Sequence, residues 1–327
     1  MIITKTPYRI SFFGGGSDYP SWYLKNGGAV LSTSIDKHIY ISCRYLPPFF
    51  NHKHRIVWSK LEMVKKTNEI KHNAVRELLN YMKIKNGMEI HYDGDLPARS
   101  GMGSSSCFVV GLINTINSLM KIKFTKKELA KKSIYFEQKI LKETVGSQDQ
   151  IAVTYGGFNK IKFLPGGEFH VNPIKLNKKS ILKLNNNLIL MYTGIKRTAH
   201  QIARTYVKKL NNKKKDAIVQ ILEIVKEAEN SLKQKNFDDF GRLLHESWLA
   251  KKSLSGKIST SSIDDIYDIA IQKGALGGKL LGAGGGGFFL FYVPREKQKK
   301  FVQYFKKFVH IPFNFENLGS KIIFDRQ

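Results

Sequence analysis

With 327 residues, 42% hydrophobic and 12% aromatic, the chain is long enough for about two domains and too apolar to be disordered. Its 54 basic residues against 26 acidic ones give a net charge of +28, which attracts nucleic acid, anionic membrane or phosphorylated small molecules, although the lysines lie in scattered solvated runs (175–187, 208–217). No apolar run approaches the ~20 residues of a membrane span, Cys43 and Cys107 form no CxxC pair, and the N-terminus lacks a secretory-signal pattern, so a reducing cytoplasm is the expected location.

Alternation and β-branched content predict strands over 1–13, 28–46, 54–59 and 87–94, with a helical stretch near 73–84. Residues 104–120, SSSCFVVGLINTINSLM, read as a helix with a serine cap and an apolar stripe of Val109, Leu112, Ile113, Ile116 and Leu119. Thr125 and Glu128 form a capping box opening a second helix over 126–142. Segment 148–176 then reads as strands broken by glycine pairs. The composition shift at 175–187 marks a boundary between domains 1–184 and 185–327. Beyond it come a strand at 187–194, helices within 197–273, a glycine loop feeding a strand at 279–294, and a closing helix and strand. With no repeat and no regular βαβ alternation, the order points to an α+β chain of two domains.

The run LPARSGMGSSSC, residues 96–107, places bare backbone in front of the helix at 104. A helix N-terminus leaves its first N–H groups without partners and carries about half a positive charge. Gly101 and Gly103 let an anion approach that backbone, and the hydroxyls of Ser104, Ser105 and Ser106 can bond phosphate oxygens or a magnesium ion. An ordinary serine cap needs fewer such residues, so phosphate binding is the favoured reading. Known phosphate loops do not fit: no GxxxxGK[ST] occurs, and GAGGGG at 282–287 precedes a strand instead of a helix, which excludes a dinucleotide fingerprint. No GxSxG elbow of a hydrolase is present.

Three segments, PYRISFFGGGSDYP (7–20), LPARSGMGSSSC (96–107) and GGKLLGAGGGGFF (277–289), together resemble the three motifs of the GHMP small-molecule kinases, in the same order across essentially the whole chain. The resemblance implies an N-terminal, ATP-binding domain like domain 2 of ribosomal protein S5, a ferredoxin-like C-terminal domain, and ATP with Mg²⁺ in the cleft between them. Residues Gly101, Met102, Gly103, Ser104, Ser105 and Ser106 would then cradle the ATP phosphates.

Glu137 lies at the edge of the apolar stripe of its helix, where a carboxylate is costly unless paired; Lys132 or Lys139 could pair with it. The resemblance makes it a magnesium ligand together with Ser105. Asp149, in VGSQDQIA, sits where short polar residues often only close a turn. Family matching makes it the catalytic Asp, orienting or deprotonating the acceptor hydroxyl, and makes Arg9 the cation that steadies it and the transferring phosphoryl group.

GGGSDYP (14–20) is similar to the form found in kinases of an anomeric sugar hydroxyl, among them those acting on D-glycero-D-manno-heptose 7-phosphate and on fucose. By that match Asp18 bonds sugar hydroxyls, Gly15, Gly16 and Ser17 let the ring lie against backbone, and Lys196 and Arg197 meet the substrate's own phosphate. The implied product is the 1,7-bisphosphate, on the way to nucleotide-activated heptose for surface polysaccharide. A small phosphorylated sugar is thus the expected partner, with neither nucleic acid nor membrane. An RNA-binding protein of S5-like fold is the rival from another class; it suits the charge but leaves the three glycine motifs unexplained.

Overall fold

The computed structural model describes residues 1–195 and 202–326. Among them the chain builds two sheets. The first runs β13–β1–β2–β5–β3–β4, with β12 and β6 also on β2 and β7 on β6. Its members are β1 (Ile2–Phe13), β2 (Gly28–Tyr45), β3 (His54–Val57), β4 (Leu61–Val64), β5 (Met88–Gly94), β6 (Phe158–Phe163), β7 (Phe169–Pro173), β12 (Phe315–Glu316) and β13 (Lys321–Asp325). Strand β2 holds it together. It is 18 residues long, and along one edge its N-terminal part pairs with β6 and its C-terminal part with β5.

The second sheet is antiparallel, in the order β11–β8–β10–β9. It comprises β8 (Leu188–Tyr192), β9 (Gly277–Leu280), β10 (Phe288–Tyr292) and β11 (Val309–Ile311). Strand β10 is buried throughout, so FFLFY is a continuous apolar run with no alternation. The expected boundary at 184/185 falls between the sheets. The chain nevertheless returns: β12 pairs with β2 and β13 with β1, so residues 315–325 belong to the first sheet.

Helix α1 (Pro20–Asn26) follows β1, and α2 (Asn73–Tyr81) precedes β5. Helix α3 (Ser104–Leu119) packs on β1 and β2 and against α4 (Lys126–Tyr135) and α5 (Gln148–Tyr155), which also pack on each other. Covered on all sides, α3 buries far more than the stripe read from its sequence, Cys107, Phe108 and Val110 included. Its start is also not serine-capped: Gly103, in the left-handed region at φ 76°, is the N-cap residue and makes no side-chain cap bond. The capping box of α4 forms as expected, with Thr125 Oγ1 accepting from Glu128 N–H and Glu128 accepting from Thr125 N–H.

Two other elements differ from the sequence reading. The helix expected over 126–142 leaves α geometry at Phe136, and residues Phe136–Ile140 form a π turn. Residues 148–155, expected as strand, are helix α5. The run Ile151–Ala152–Val153 suggests a strand, but it is buried on every side against α3 and α4, and tertiary burial overrides its local β preference. The remaining helices, α6 (Lys178–Asn186), α7 (Lys215–Gln234), α8 (Phe237–Lys252), α9 (Ser261–Gln272) and α10 (Arg295–Tyr304), lie in the second half of the chain. No helix among the described residues is long and apolar enough to cross a membrane.

Candidate active site

Arg9 sits on β1 at a register shift between Pro7 and Arg9 against β2, a bulge of the kind that re-aims a side chain. Its guanidinium forms a bidentate pair with Asp149: Nε donates to Oδ1 at 2.7 Å and Nη2 to Oδ2 at 2.6 Å. The remaining nitrogen, Nη1, donates to the carbonyl of Gly101 at 2.8 Å. One side chain thereby fixes a carboxylate beside the glycine–serine loop. Asp149 lies in the first turn of α5, where the helix dipole favours a negative charge.

The loop itself is built from backbone. Gly101 (φ 84°) and Gly103 (φ 76°) adopt conformations open mainly to glycine. A β-carbon on Gly101 would lie 2.5 Å from the Leu281 carbonyl oxygen, and one on Gly103 would press on the Arg9 side chain at 3.3 Å. Met102 is fully buried, and its carbonyl accepts from the Arg9 N–H, so its side chain anchors the loop from below.

The three serines divide the work. Ser104 Oγ accepts from the Arg99 N–H, closing the turn, and Ser105 is exposed. The hydroxyl that bonds Glu137 directly is that of buried Ser106, which donates to Oε2 at 2.8 Å.

Glu137 is fully buried; Gln150 Nε2 also donates to its Oε2, while Oε1 has no partner among the described residues. Burial pushes its carboxyl up to about 8, against the lowering effect of the Ser106 and Gln150 bonds. An unpartnered buried oxygen on a carboxylate without a cation beside it fits a divalent metal ligand. Among the described residues no cluster of three or more carboxylate, histidine or cysteine side chains forms, and Mg²⁺ characteristically takes one or two carboxylates and completes its shell with phosphates and waters. Neither Lys132 nor Lys139 forms an ion pair with Glu137.

Asp18 is 2% exposed; its Oδ1 accepts from Gly16 N–H at 2.9 Å, and burial raises its pKa. Gln148 lies over it, with Oε1 accepting from Ser11 Oγ at 2.6 Å. The neighbouring residues of the first glycine motif form a compact turn. Ser17 is fully buried and its hydroxyl bonds the Gly14 and Ala29 carbonyls inside the turn. The space beside Gly16 is filled by Ile218 and Leu254, whereas Gly15 meets only Gln148 Nε2, at 3.7 Å. Ser17 and Gly16 therefore shape the turn that holds Asp18. Lys196 and Arg197 lie outside the described residues.

Two lysines that no motif singles out for a role also converge here. Lys279 on β9 is buried with Nζ donating to the Phe12 carbonyl at 2.6 Å, and Lys251 on α8 is buried with Nζ donating to the Leu280 and Gly282 carbonyls. Burial, with Arg9 nearby, lowers the Lys251 ammonium to about 7. Neither lysine has a carboxylate partner among the described residues, although each such burial costs on the order of several kcal/mol. Lys279 falls within the third glycine motif; Lys251, one lysine in a lysine-rich chain, carries no sequence signal.

Two family models match the chain, "GHMP kinases N terminal domain" over residues 65–157 and "GHMP kinases C terminal" over 224–311. The chain is 30% identical to a D-glycero-alpha-D-manno-heptose 7-phosphate kinase of Campylobacter jejuni, over 94% of this chain and 93% of that protein. It is 26% identical to a bifunctional fucokinase/GDP-fucose pyrophosphorylase of Arabidopsis thaliana over 90% of this chain, which spans 30% of that longer protein. Two solved structures share the fold: a D-glycero-D-manno-heptose 1-phosphate kinase from Bacteroides thetaiotaomicron (TM-score 0.81, 22% identity, 100% of both chains) and a galactokinase of Lactococcus lactis complexed with galactose (TM-score 0.76, 17% identity, 98% of this chain and 94% of that one). Together with the Arg9–Asp149 pair held at a glycine–serine loop, these likenesses establish that the chain belongs to the GHMP kinases, ATP-dependent phosphotransferases of α+β fold.

Proposed function

We propose that the protein transfers the γ-phosphoryl group of ATP to the C1 hydroxyl of D-glycero-D-manno-heptose 7-phosphate, giving the 1,7-bisphosphate for nucleotide-activated heptose synthesis in the cytoplasm. The observation that carries the chemistry is the Arg9 fork, which holds Asp149 and the Gly101 carbonyl with one guanidinium. The substrate choice is supported by the similarity to the Campylobacter jejuni kinase over nearly the full length of both chains.

In this reading the N–H groups of 103–106 and the start of α3 hold the triphosphate, as the unpaired amides of a helix N-terminus do. Asp149 accepts the proton of the anomeric hydroxyl and aligns its oxygen with the terminal phosphorus. Arg9 keeps that carboxylate in place and offers positive charge as the phosphoryl group transfers. Asp18 and the backbone at Gly15 hold sugar hydroxyls, and Lys196 and Arg197 take the 7-phosphate. Glu137 with Ser106, and Ser105 beside it, would hold Mg²⁺. When bound, the metal neutralises charge on the phosphate oxygens.

ATP consumption measured in parallel with the heptose 7-phosphate, L-fucose, galactose and mevalonate tests the assignment. Preference for the heptose 7-phosphate is expected, with the new phosphorus coupled to the anomeric proton by NMR. Preference for an unphosphorylated acceptor overturns the heptose assignment and leaves the kinase intact.

A further inference from the structure

In the six-residue run Gly282–Gly287 the last four residues are buried and the first two partly so. A β-carbon on Gly282 would lie 2.6 Å from the Gly101 Cα, and one on Gly287 would lie 2.2 Å from the Ser100 carbonyl oxygen. Phe288 N–H also donates to the Ser100 carbonyl at 3.1 Å. The third glycine motif is therefore interlocked, backbone to backbone, with the phosphate loop. Its other contacts run to the second half of the chain: Gly285 N–H bonds the Ile258 carbonyl, and Lys251 Nζ reaches the Leu280 carbonyl at 2.9 Å and the Gly282 carbonyl at 2.5 Å.

We propose that Lys251 is a positioning residue for phosphoryl transfer: it draws the Leu280 and Gly282 carbonyls onto α8, seats Gly282 against Gly101, and so sets the carbonyl that holds Arg9 and Asp149. The inference rests on the kinase reading above. Four links connect it to the reacting atoms: Lys251 to Gly282, Gly282 to Gly101, Gly101 to Arg9, and Arg9 to Asp149. Lys251 is 8% exposed with its Nζ turned onto the Leu280 and Gly282 carbonyls, so it acts through the loops. Two independent observations support a functional origin. The ammonium has two carbonyls and the Trp248 ring, 5.8 Å away, as partners but no carboxylate among the described residues, an arrangement that a well-packed apolar side chain would replace at little cost to the fold. Lys279 repeats the device one strand away, with its Nζ on the Phe12 carbonyl, at the end of the strand that carries Arg9.

The test is a double-mutant cycle on the full chain with ATP, Mg²⁺ and the acceptor that wild-type protein prefers. Lys251→Met removes the tether at similar volume, and Gly282→Ala forces the two loops apart at the other end of the same link. Each is expected to lower kcat by roughly 10- to 100-fold, as small misplacements of reacting groups do, with the ATP-induced rise in melting temperature retained. The double variant should lose little more than the worse single one, because both break the same chain of contacts. Lys251→Arg, which keeps the charge and two donors, should recover most of the rate. A kcat within twofold of wild type in Lys251→Met, or losses that multiply in the double variant, overturns the proposal. If Lys251→Met fails to fold, Gly282→Ala alone decides: wild-type kcat there overturns it. A wild-type protein that phosphorylates none of the acceptors refutes the kinase reading instead, a result distinguishable from either.

Discussion

Asp18 and Gly146 compete for the same space: a β-carbon on Gly146 would lie 1.8 Å from Asp18 Oδ2. The Ser147 N–H donates to the Asp18 carbonyl, so the segment leading to Asp149 is laid directly over the first glycine motif. Gly146→Ala must therefore move either the Asp18 carboxylate or the segment that carries Asp149. Sugar kcat/KM is expected to fall by about 100-fold, the scale of an ångström misplacement, while ATP still raises the melting temperature. Unchanged kcat/KM would show that Asp18 does not meet the acceptor.

Glu137 makes stability depend on pH with a definite sign. Its folded pKa of about 8 exceeds the ordinary 4.5, so the folded state holds an extra proton between those values and loses stability as pH rises through that window. Asp18, also raised, adds a slope of the same sign. In metal-free protein the melting temperature should fall as pH rises from 4.5 to about 8, and Glu137→Gln should flatten that fall. Mg²⁺ with ATP should restore the wild-type protein at the alkaline end and leave Glu137→Gln behind. An equal slope in both proteins would remove Glu137 from the account.

The serines should separate by position. Ser106→Ala deletes a buried hydroxyl that bonds Glu137 and is expected to cost about 1–3 kcal/mol in denaturant unfolding. Exposed Ser105→Ala should stay within about 0.5 kcal/mol of wild type. Equal losses would contradict the Ser106–Glu137 pairing.

Much of this site is legible in the amino-acid sequence. Gly101 and Gly103 are glycines because the loop takes left-handed conformations, and Arg9 lies in the first of the three motifs, whereas Glu137 and Asp149 are singled out only by the family resemblance. What stays hidden depends on contacts far apart in sequence. The first strand touches residues 148 and 279, and α8 touches residue 282, so neither the buried lysines nor the tight fit of Gly146 leaves a local pattern. Which serine hydroxyl bonds Glu137 directly is a question of helix phase, and the π turn at Phe136–Ile140 resets that phase for Glu137. Helix α5 reads as a strand because a short buried β-branched run has the same composition in either element.

The most direct measurement is the turnover of Asp149→Asn beside its ATP-induced melting shift. The exchange keeps the size of the side chain and removes the charge that Arg9 grips at 2.6 and 2.7 Å. A kcat lower by roughly 10²- to 10⁴-fold, with the ATP shift nearly unchanged, is expected of a proton acceptor at the reacting hydroxyl. Turnover within tenfold of wild type would contradict that role for Asp149.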